Sequence, residues 1–289
     1  MTSASGEATR REVLENLREI AILAGAEILA IYAGDFAVQD KPDATPVTCA
    51  DTAAEEIILR EIGRWTPGIP VVAEESFAAG SLPDIKRGAC DARFSDDAFF
   101  LVDPLDGTRE FIRRNGEFTV NIALIEGGIP VAGTVHLPAS GESYWTAGDG
   151  RAWRAQKNEP PQAIECRESS ADPVAITSRS HGDPKTAAWL DRHGITKIAH
   201  AGSSLKLCRI AEGSADVYPR FGRTMEWDIA AGHALVLAAG GDVSAFDGRS
   251  LRYGKAGFEN PSFVAHGLDR LDRWRSSLDD AEGKRPPPP

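Results

Sequence analysis

The sequence predicts an α/β fold built from two unlike halves. In the first half, two amphipathic helical segments precede apolar runs that pair as hairpins, and in the second half short strands alternate with helices. Between residues 160 and 173 this periodic pattern is lost, which marks a boundary. We therefore expect an α+β half with an antiparallel sheet at 10–165, an α/β half at 172–268, and disordered tails at 1–9 and 280–289.

Two helices are predicted before any strand. Apolar residues recur at steps of three and four between Arg10 and Ala33, which is typical of one face of an amphipathic helix: Val13, Leu17, Ile20, Ala24, Ile28 and Ile31. A loop with the sequence QDKPDATPVT follows, and a second helix is expected from about Asp51 to Trp65.

Short apolar runs predict the strands. IPVVAEES indicates a strand that ends in paired glutamates, and AFFLV indicates another. VNIALIEGGIPVAGTVHLP should form a hairpin that turns at Gly127-Gly128, and SYWTAGDGRAWRA repeats the pattern around residues 148–150. Residues 78–98 are polar and lack a clear period, which indicates a surface segment. Strands and helices then alternate through PVAITSR, KTAAWLDRHG, TKIAHAG, SLKLCRIAEG, ADVYPR and DIAAGHALVLAAGG.

Composition and charge narrow the class of protein. A net charge of −11 disfavours a nucleic acid polymer as partner, and a site for an anion would need local positive charge, which a metal can supply. No apolar signal segment is visible, and the longest oily run is too short to span a bilayer. We expect a cytoplasmic protein with reduced thiols. The alternative is one disulfide between two of the four dispersed cysteines, which are Cys49, Cys90, Cys166 and Cys208.

Four acidic residues share one unusual placement, where a predicted strand ends or a helix begins: Glu74, Asp103, Asp106 and Asp228. Pro104 lacks an N–H, so Asp-Pro-Leu-Asp should leave the strand and turn, and this would aim Asp103 and Asp106 at one point. The Leu105 carbonyl between them is a third hard oxygen. Oxygen ligands of this kind suit Mg²⁺.

Gly107-Thr108 is expected to open a helix, whose exposed N–H groups would bind an anion. A metal beside an anion site indicates phosphoryl chemistry. Each feature also has a simpler interpretation, namely a helix N-cap for Asp228, a solvated pair for Glu74-Glu75, and a turn with capping carboxylates for Asp103 and Asp106.

Taken together, these motifs resemble the signatures of a known family. VDPLDGTREF and the later WDIAAGHALVLAAGG, together with AEES and KPDATPVTCAD, are similar to motifs of the inositol monophosphatase superfamily of lithium-sensitive, magnesium-dependent phosphatases. The likeness runs from about residue 12 to 267. It implies the layered α/β/α/β/α sandwich of the sugar-phosphatase type, with catalysis at the junction of its two halves.

Three stretches resemble one branch of that superfamily, the 3'(2'),5'-bisphosphate nucleotidases of the CysQ type: DGTREF, AGSSLKLCRIAEGSADVYPRFG and TMEWDIAAGH. The resemblance implies hydrolysis of the 3'-phosphate of adenosine 3',5'-bisphosphate, which is a by-product of sulfate assimilation, to AMP and phosphate. The nearest alternative is a phosphatase for inositol 1-phosphate or another small sugar phosphate. A phospho-anion sensor without turnover is disfavoured because every catalytic position is filled.

Residue by residue, the resemblance assigns the metal ligands to Glu74, Asp103, the Leu105 carbonyl, Asp106 and Asp228. It implies two Mg²⁺ ions, of which one activates a water also held by Glu74 and Thr108 while the other steadies the leaving oxygen. Thr48 and Asp51 match a mobile loop of the family that is associated with a weaker third ion.

The resemblance also implies the substrate contacts. Asp106, Gly107 and Thr108 match the phosphate cradle. The nucleotide contacts are expected from Arg109, Ser178, Ser204, Lys206, Tyr218, Arg220 and Asp228. For Lys206 and Arg209 a solvated helix face is the simpler interpretation. The expected partner is a small phosphate ester, the expected assembly is a monomer or a homodimer, and a peripheral position at the inner face of the cell membrane stays open.

Overall fold

The structure is a computed structural model. It describes residues 9–40, 46–85, 89–146, 148–169, 171–179, 182–268 and 274. The predicted tails at 1–9 and 280–289 lie outside these ranges, except for Thr9, which caps the first helix.

Two long helices form the first layer. Helix α1 spans Arg10–Tyr32 and begins with a capping box, in which the N–H of Glu12 donates to Thr9 Oγ1 and the N–H of Thr9 donates to the Glu12 carboxylate. A two-stranded ribbon of β1 (Val38–Asp40) and β2 (Pro46–Thr48) leads into α2, which spans Cys49–Trp65. Both helices match the predicted amphipathic segments.

A seven-stranded sheet forms the second layer, in the order β3-β4-β5-β6-β7-β8-β9. Its strands are β3 (Val71–Ala73), β4 (Phe99–Asp106), β5 (Thr119–Glu126), β6 (Ile129–Leu137), β7 (Glu142–Thr146), β8 (Ala152–Ala155) and β9 (Gln162–Ile164). Two helices of five residues leave this sheet, α3 (Glu74–Ala78) after β3 and α4 (Thr108–Ile112) after β4. The predicted hairpin turns at Gly127-Gly128, where both residues have positive φ as a tight hairpin turn requires.

A five-stranded sheet forms the second half, in the order β11-β10-β12-β14-β13. Its strands are β10 (Val174–Ser178), β11 (Lys197–Ala201), β12 (Val217–Arg220), β13 (Asp242–Ala245) and β14 (Phe263–His266), and its helices are α5 (Pro184–Arg192), α6 (Leu205–Ala211) and α7 (Glu226–Ala238). A 3₁₀ turn at Ala256–Phe258 precedes β14. β10 pairs in parallel with β11 and β12, whereas β14 runs antiparallel to its two neighbours.

The layers stack as α/β/α/β/α, as the resemblance implied. Helices α1 and α2 pack on one face of the large sheet, α6 and α7 lie between the two sheets, and α5 covers the outer face of the small sheet. The largest apolar cluster fills the space around α6 and α7, and a second cluster lies under α1 and α2. The elements that meet at α6 and α7 therefore come from both halves of the chain.

The structure corrects one prediction about the strands. β4 does not end before Pro104 but continues to Asp106, with its register against β5 shifted between Asp103 and Asp106. This irregularity accommodates a proline that cannot donate to the ladder. The strands β1, β2, β9, β13 and β14 were not predicted from the sequence. β1 and β2 fall largely in the stretch predicted as a loop, and β9 lies in the stretch where the periodic pattern is lost.

The described cysteines are all unpaired, two of them buried (Cys166 and Cys208) and two exposed (Cys49 and Cys90). Across the described ranges, no helix combines the length and apolar character that crossing a bilayer requires.

Candidate active site

A cavity of about 270 Å³ lies between the two sheets, and elements of both halves line it. All but two of the residues that the sequence singled out lie along its wall. These are Glu74, Asp103, Leu105, Asp106, Gly107, Thr108, Arg109, Ser178, Ser204, Lys206, Tyr218, Arg220 and Asp228. The two exceptions, Thr48 and Asp51, reach the cavity through a hydrogen bond to Thr108.

The irregular end of β4 brings three residues with candidate ligand oxygens to the cavity, namely Asp103, Leu105 with its carbonyl, and Asp106. Asp103 is 1% exposed, and one of its carboxylate oxygens accepts the N–H of Leu105 at 3.1 Å. This contact turns the Leu105 peptide, whose carbonyl oxygen lies 3.4 Å from the Thr108 hydroxyl. Gly107 then adopts a φ of +91°, and a Cβ there would lie 3.2 Å from the Glu117 carbonyl, so glycine suits this turn.

Thr48, Asp51 and Thr108 form a chain of hydrogen bonds. Asp51 is 2% exposed, and its Oδ2 accepts both the N–H and the hydroxyl of Thr48 at 2.8 Å, which caps α2. Its Oδ1 accepts the Thr108 hydroxyl at 3.3 Å. The start of α2 and the start of α4 are therefore joined by one buried carboxylate.

Glu74 is the first residue of α3, and a residue of α2 fixes that helix start. The carboxylate of Glu55, which is 4% exposed, accepts the N–H groups of Glu75 and Ser76 at 2.8 Å and the hydroxyl of Ser76 at 2.5 Å. Since α3 has only five residues, this external acceptor replaces the side-chain cap that its own N-cap, Ala73, does not supply.

Asp228 lies in the first turn of α7, where its Oδ2 accepts the N–H of Met225 at 2.8 Å. The simpler interpretation of this residue as a helix cap therefore describes part of its role. Ser204 joins α7 to β4, because its hydroxyl oxygen lies 2.6 Å from the carbonyl of Asp228 and 2.9 Å from Oδ2 of Asp106. Asn121 on β5 donates to that hydroxyl at 2.8 Å.

The carboxylates around the cavity repel one another. Burial raises the pKa of Asp228 well above its usual range, and the charges of Asp106 and Glu74 raise it further. Burial likewise raises the pKa of Asp106, against the opposing effect of Lys206. A cation bound between these groups would relieve the repulsion.

The donor set suits a hard divalent cation, because it consists of carboxylate and carbonyl oxygens with net negative charge. Within the described ranges, however, no three Asp, Glu, His or Cys side chains converge closely enough to form a ligand cluster as they stand. The fit to Mg²⁺ therefore rests on the chemistry and charge of the donors.

The opposite wall of the cavity is cationic. Lys206 is 6% exposed, donates to the Ser203 carbonyl at 2.5 Å, and lies 5.5 Å above the ring of Tyr218. Burial lowers its pKa to about 8, although the charge of Asp106 opposes this effect. The interpretation of Lys206 and Arg209 as a solvated helix face is wrong, because Arg209 also contacts the Tyr144 hydroxyl and Glu212.

A second cavity of about 390 Å³ adjoins the first and shares three of its residues, Ser178, Tyr218 and Arg220. Its other walls include aliphatic side chains of α5, of β11 and of the turn between them, among them Leu190, Ile195 and Ile198. Of the two adjoining cavities, the first is therefore lined by carboxylates and Lys206, Arg220 lies where they meet, and the second is largely apolar.

Sequence reasoning missed Glu55, Asn121 and Glu117, which hold the site residues in place. Glu55 left a signal, because it follows Asp51 by one helical turn on the buried face of α2, where an acidic side chain needs a partner. The other two had no local signal.

Comparison with known proteins identifies the family. A model described as the inositol monophosphatase family matches residues 9–274. The chain is 42% identical over 254 residues to the 3'(2'),5'-bisphosphate nucleotidase CysQ of Salmonella typhimurium, which covers 87% of this chain and 98% of that protein. It is 40% identical over 263 residues to the CysQ nucleotidase of Buchnera aphidicola, which covers 89% and 95%.

Solved structures agree with this assignment. CysQ from Bacteroides thetaiotaomicron, described as a bacterial member of the inositol monophosphatase family, has a TM-score of 0.74 at 35% identity and covers 90% of this chain and 99% of its own. An IMPase of Thermotoga maritima, at 23% identity, shares the fold with a TM-score of 0.72 and covers 94% and 98%. The chain therefore belongs to the inositol monophosphatase family.

Proposed function

We propose that the protein is a Mg²⁺-dependent phosphatase that hydrolyses adenosine 3',5'-bisphosphate at its 3'-phosphate to give AMP and phosphate. One observation carries the proposal, namely the continuity of a carboxylate-lined cavity with a cationic wall and an apolar cavity. The CysQ relatives, which are named 3'(2'),5'-bisphosphate nucleotidases, support it.

Members of the inositol monophosphatase family are in general Mg²⁺-dependent. In this chain the ions would be held by Glu74, Asp103, the Leu105 carbonyl, Asp106 and Asp228. We propose two ions, with a third near Asp51 left open. Bound Mg²⁺ would acidify a water molecule and neutralise charge on the phosphoryl group.

The chain's own residues orient the nucleophile. Asp51 holds the Thr108 hydroxyl proton, which leaves the lone pairs of Thr108 Oγ1 directed to accept a hydrogen bond from the attacking water. Thr48 fixes the other oxygen of Asp51, so this carboxylate stays in place during the reaction. The water oxygen forms the new bond to phosphorus and gives up one proton, the bond from phosphorus to O3' breaks, and O3' takes up one proton and leaves as the hydroxyl of AMP.

The cationic and apolar walls suit the leaving group. Arg220 places positive charge where the two cavities meet, and Lys206 adds positive charge to the wall of the first, so a second phosphate on the nucleotide would lie near them. The adjoining apolar cavity has room for a purine, whereas inositol phosphate needs only a compact polar pocket. This difference favours the nucleotide over the sugar phosphate.

The test is phosphate release from adenosine 3',5'-bisphosphate and from inositol 1-phosphate, measured side by side with Mg²⁺ and with a chelator. We expect a metal-dependent preference for the nucleotide of at least about tenfold in kcat/KM. A preference for inositol 1-phosphate would keep the metal site but overturn the assignment of Lys206 and Arg220. Binding of the nucleotide to Mg²⁺-loaded protein without phosphate release would identify a sensor.

A further inference from the structure

Glu117 lies in the loop between α4 and β5 and binds an arginine of the other half of the chain. Its two carboxylate oxygens accept Nε and Nη2 of Arg179 at 2.7 Å each, in a bidentate pair. Arg179 directly follows β10, and its Nη2 also donates to the His200 carbonyl on β11 at 3.0 Å. The pair therefore joins the large sheet to the small sheet.

The same glutamate also holds the loop that precedes α6. Its Oε2 accepts the N–H of Gly202 at 2.8 Å, and its backbone carbonyl accepts the Ser203 hydroxyl at 3.1 Å. The approach is close, because a Cβ at Gly202 would lie 2.7 Å from the Glu117 carbonyl oxygen. Ser203 has a φ of +39°, which is costly for a residue with a side chain and persists only where neighbours hold it.

These two loops carry the leaving-group side of the cavity. Ser178, next to Arg179, lines both cavities, and the Ser203 carbonyl accepts the ammonium of Lys206. Ser204 directly follows the loop at 202–203, but its hydroxyl is also held by Asn121 on β5 and by the Asp228 carbonyl, so Asp106 on the catalytic side has anchors that the Glu117 side chain does not touch. The Glu117 side chain therefore acts on one part of the site.

We propose that Glu117 and Arg179 form a clamp that positions the loops at 178–179 and 202–203 and thereby sets the affinity for the nucleoside part of the substrate. The proposal rests on the proposed function for the identity of that leaving group. In the clamp, Arg179 is a positioning residue, since its Nε and Nη2 donate to Glu117 and to the His200 carbonyl.

The test uses Glu117→Gln, Arg179→Gln and the double variant. We expect the KM for adenosine 3',5'-bisphosphate to rise at least about tenfold in each, while kcat stays within about threefold. Calorimetry with Mg²⁺-loaded protein should show weaker binding of AMP by the same factor and unchanged binding of inorganic phosphate. The double variant should be no worse than the more affected single variant, because both changes remove one interaction.

The matched control is Glu126→Gln. Glu126 also holds an arginine in a bidentate pair, with Arg10 at 2.6 and 2.7 Å, and accepts one backbone N–H, from Ser95, but it lies at the opposite end of β5. This variant should leave KM and AMP binding unchanged, whatever it does to thermal stability.

Three outcomes would overturn the clamp: unchanged KM and AMP affinity, equal losses for AMP and inorganic phosphate, or losses that multiply in the double variant. Wild-type protein that fails to bind AMP would overturn it as well. Wild-type protein that binds AMP but does not hydrolyse the bisphosphate would refute the proposed function alone, and the clamp would then be judged by AMP binding.

Discussion

Asp106 is the residue whose environment is most clearly built for a bound cation. The charges of Glu74, Asp228 and Lys206 act on it, and the Ser204 hydroxyl lies 2.9 Å from its Oδ2. Its pKa is raised chiefly by burial, so the ionised form is costly unless a positive charge lies close by. A neutral side chain of the same shape would cost the fold little and would remove a proposed metal ligand.

We therefore expect Asp106→Asn to lower kcat/KM by at least about a hundredfold, because a metal ligand is lost, while the free energy of unfolding stays within about 1 kcal/mol of wild type. Phosphate release and urea denaturation measure the two quantities. The matched control is Asp247→Asn, which changes an exposed carboxylate paired with Arg249 and should keep full activity. Near-wild-type turnover of Asp106→Asn with an ordinary Mg²⁺ requirement would refute the ligand assignment.

At the scale of elements, the site depends on two helices of only five residues, α3 and α4, which begin at Glu74 and Thr108. Helices of this length are not stable by themselves, because nucleation is costly and few internal hydrogen bonds follow. Neither has a side-chain cap from its own N-cap residue. Their positions are set instead by Glu55 and Asp51, both of which belong to α2.

This arrangement predicts the effect of Glu55→Gln. The amide NH₂ of glutamine would face a backbone N–H that now donates to the carboxylate, so the start of α3 should lose about 1–3 kcal/mol of stabilisation and Glu74 should move. We expect kcat/KM to fall about tenfold and the Mg²⁺ concentration for half-maximal activity to rise.

The control for Glu55→Gln is Glu61→Gln, which lies on the same helix and pairs with the exposed Arg60 and Arg64. It should change neither stability nor activity. If Glu55→Gln has the Mg²⁺ dependence of wild type, α3 does not position Glu74 for metal binding.

At the scale of the whole molecule, the large sheet holds a neutral histidine in its interior. His136 on β6 is 6% exposed, and its Nδ1 lies 3.1 Å from the Glu142 carbonyl and 2.9 Å from the Ser143 hydroxyl. Burial lowers its pKa to about 4. The unfolded chain titrates near 6.5, so between these values the unfolded state binds more protons and the free energy of unfolding falls as pH falls.

His136 should therefore cost the protein about 2 kcal/mol of stability between about pH 7 and about pH 5. His136→Gln should lower stability at neutral pH through poorer packing but should lose about 2 kcal/mol less on acidification. The raised pKa values of Asp106 and Asp228 make the free energy of unfolding rise as pH falls. This contribution is the same in wild type and in His136→Gln, so it cancels when the two are compared. Urea denaturation at the two pH values measures the difference, and His200→Gln, at an exposed imidazole, should behave as wild type. Equal losses in His136→Gln and wild type would contradict the prediction.

Local pattern was sufficient for most elements. The amphipathic periods of α1 and α2 and the glycine turn between β5 and β6 lie within windows of 10 to 25 residues, so propensity and burial point to one structure. The end of β4 was misjudged, because whether a strand passes a proline depends on its neighbour: β5 follows β4 through the shift between Asp103 and Asp106. The division into halves at 10–165 and 172–268 stays a prediction.

The sequence by itself determined the family, the order of most helices and longer strands, and the residue types of the site, since carboxylates at strand ends and their spacing are local features of the chain. Only the tertiary structure decided how those residues are held. Glu55 caps a helix that begins about 20 residues later, Asn121 meets Ser204, and Glu117 meets Arg179. Contacts between such distant residues leave no periodic trace in the sequence, because they form only when packed layers bring separate elements together.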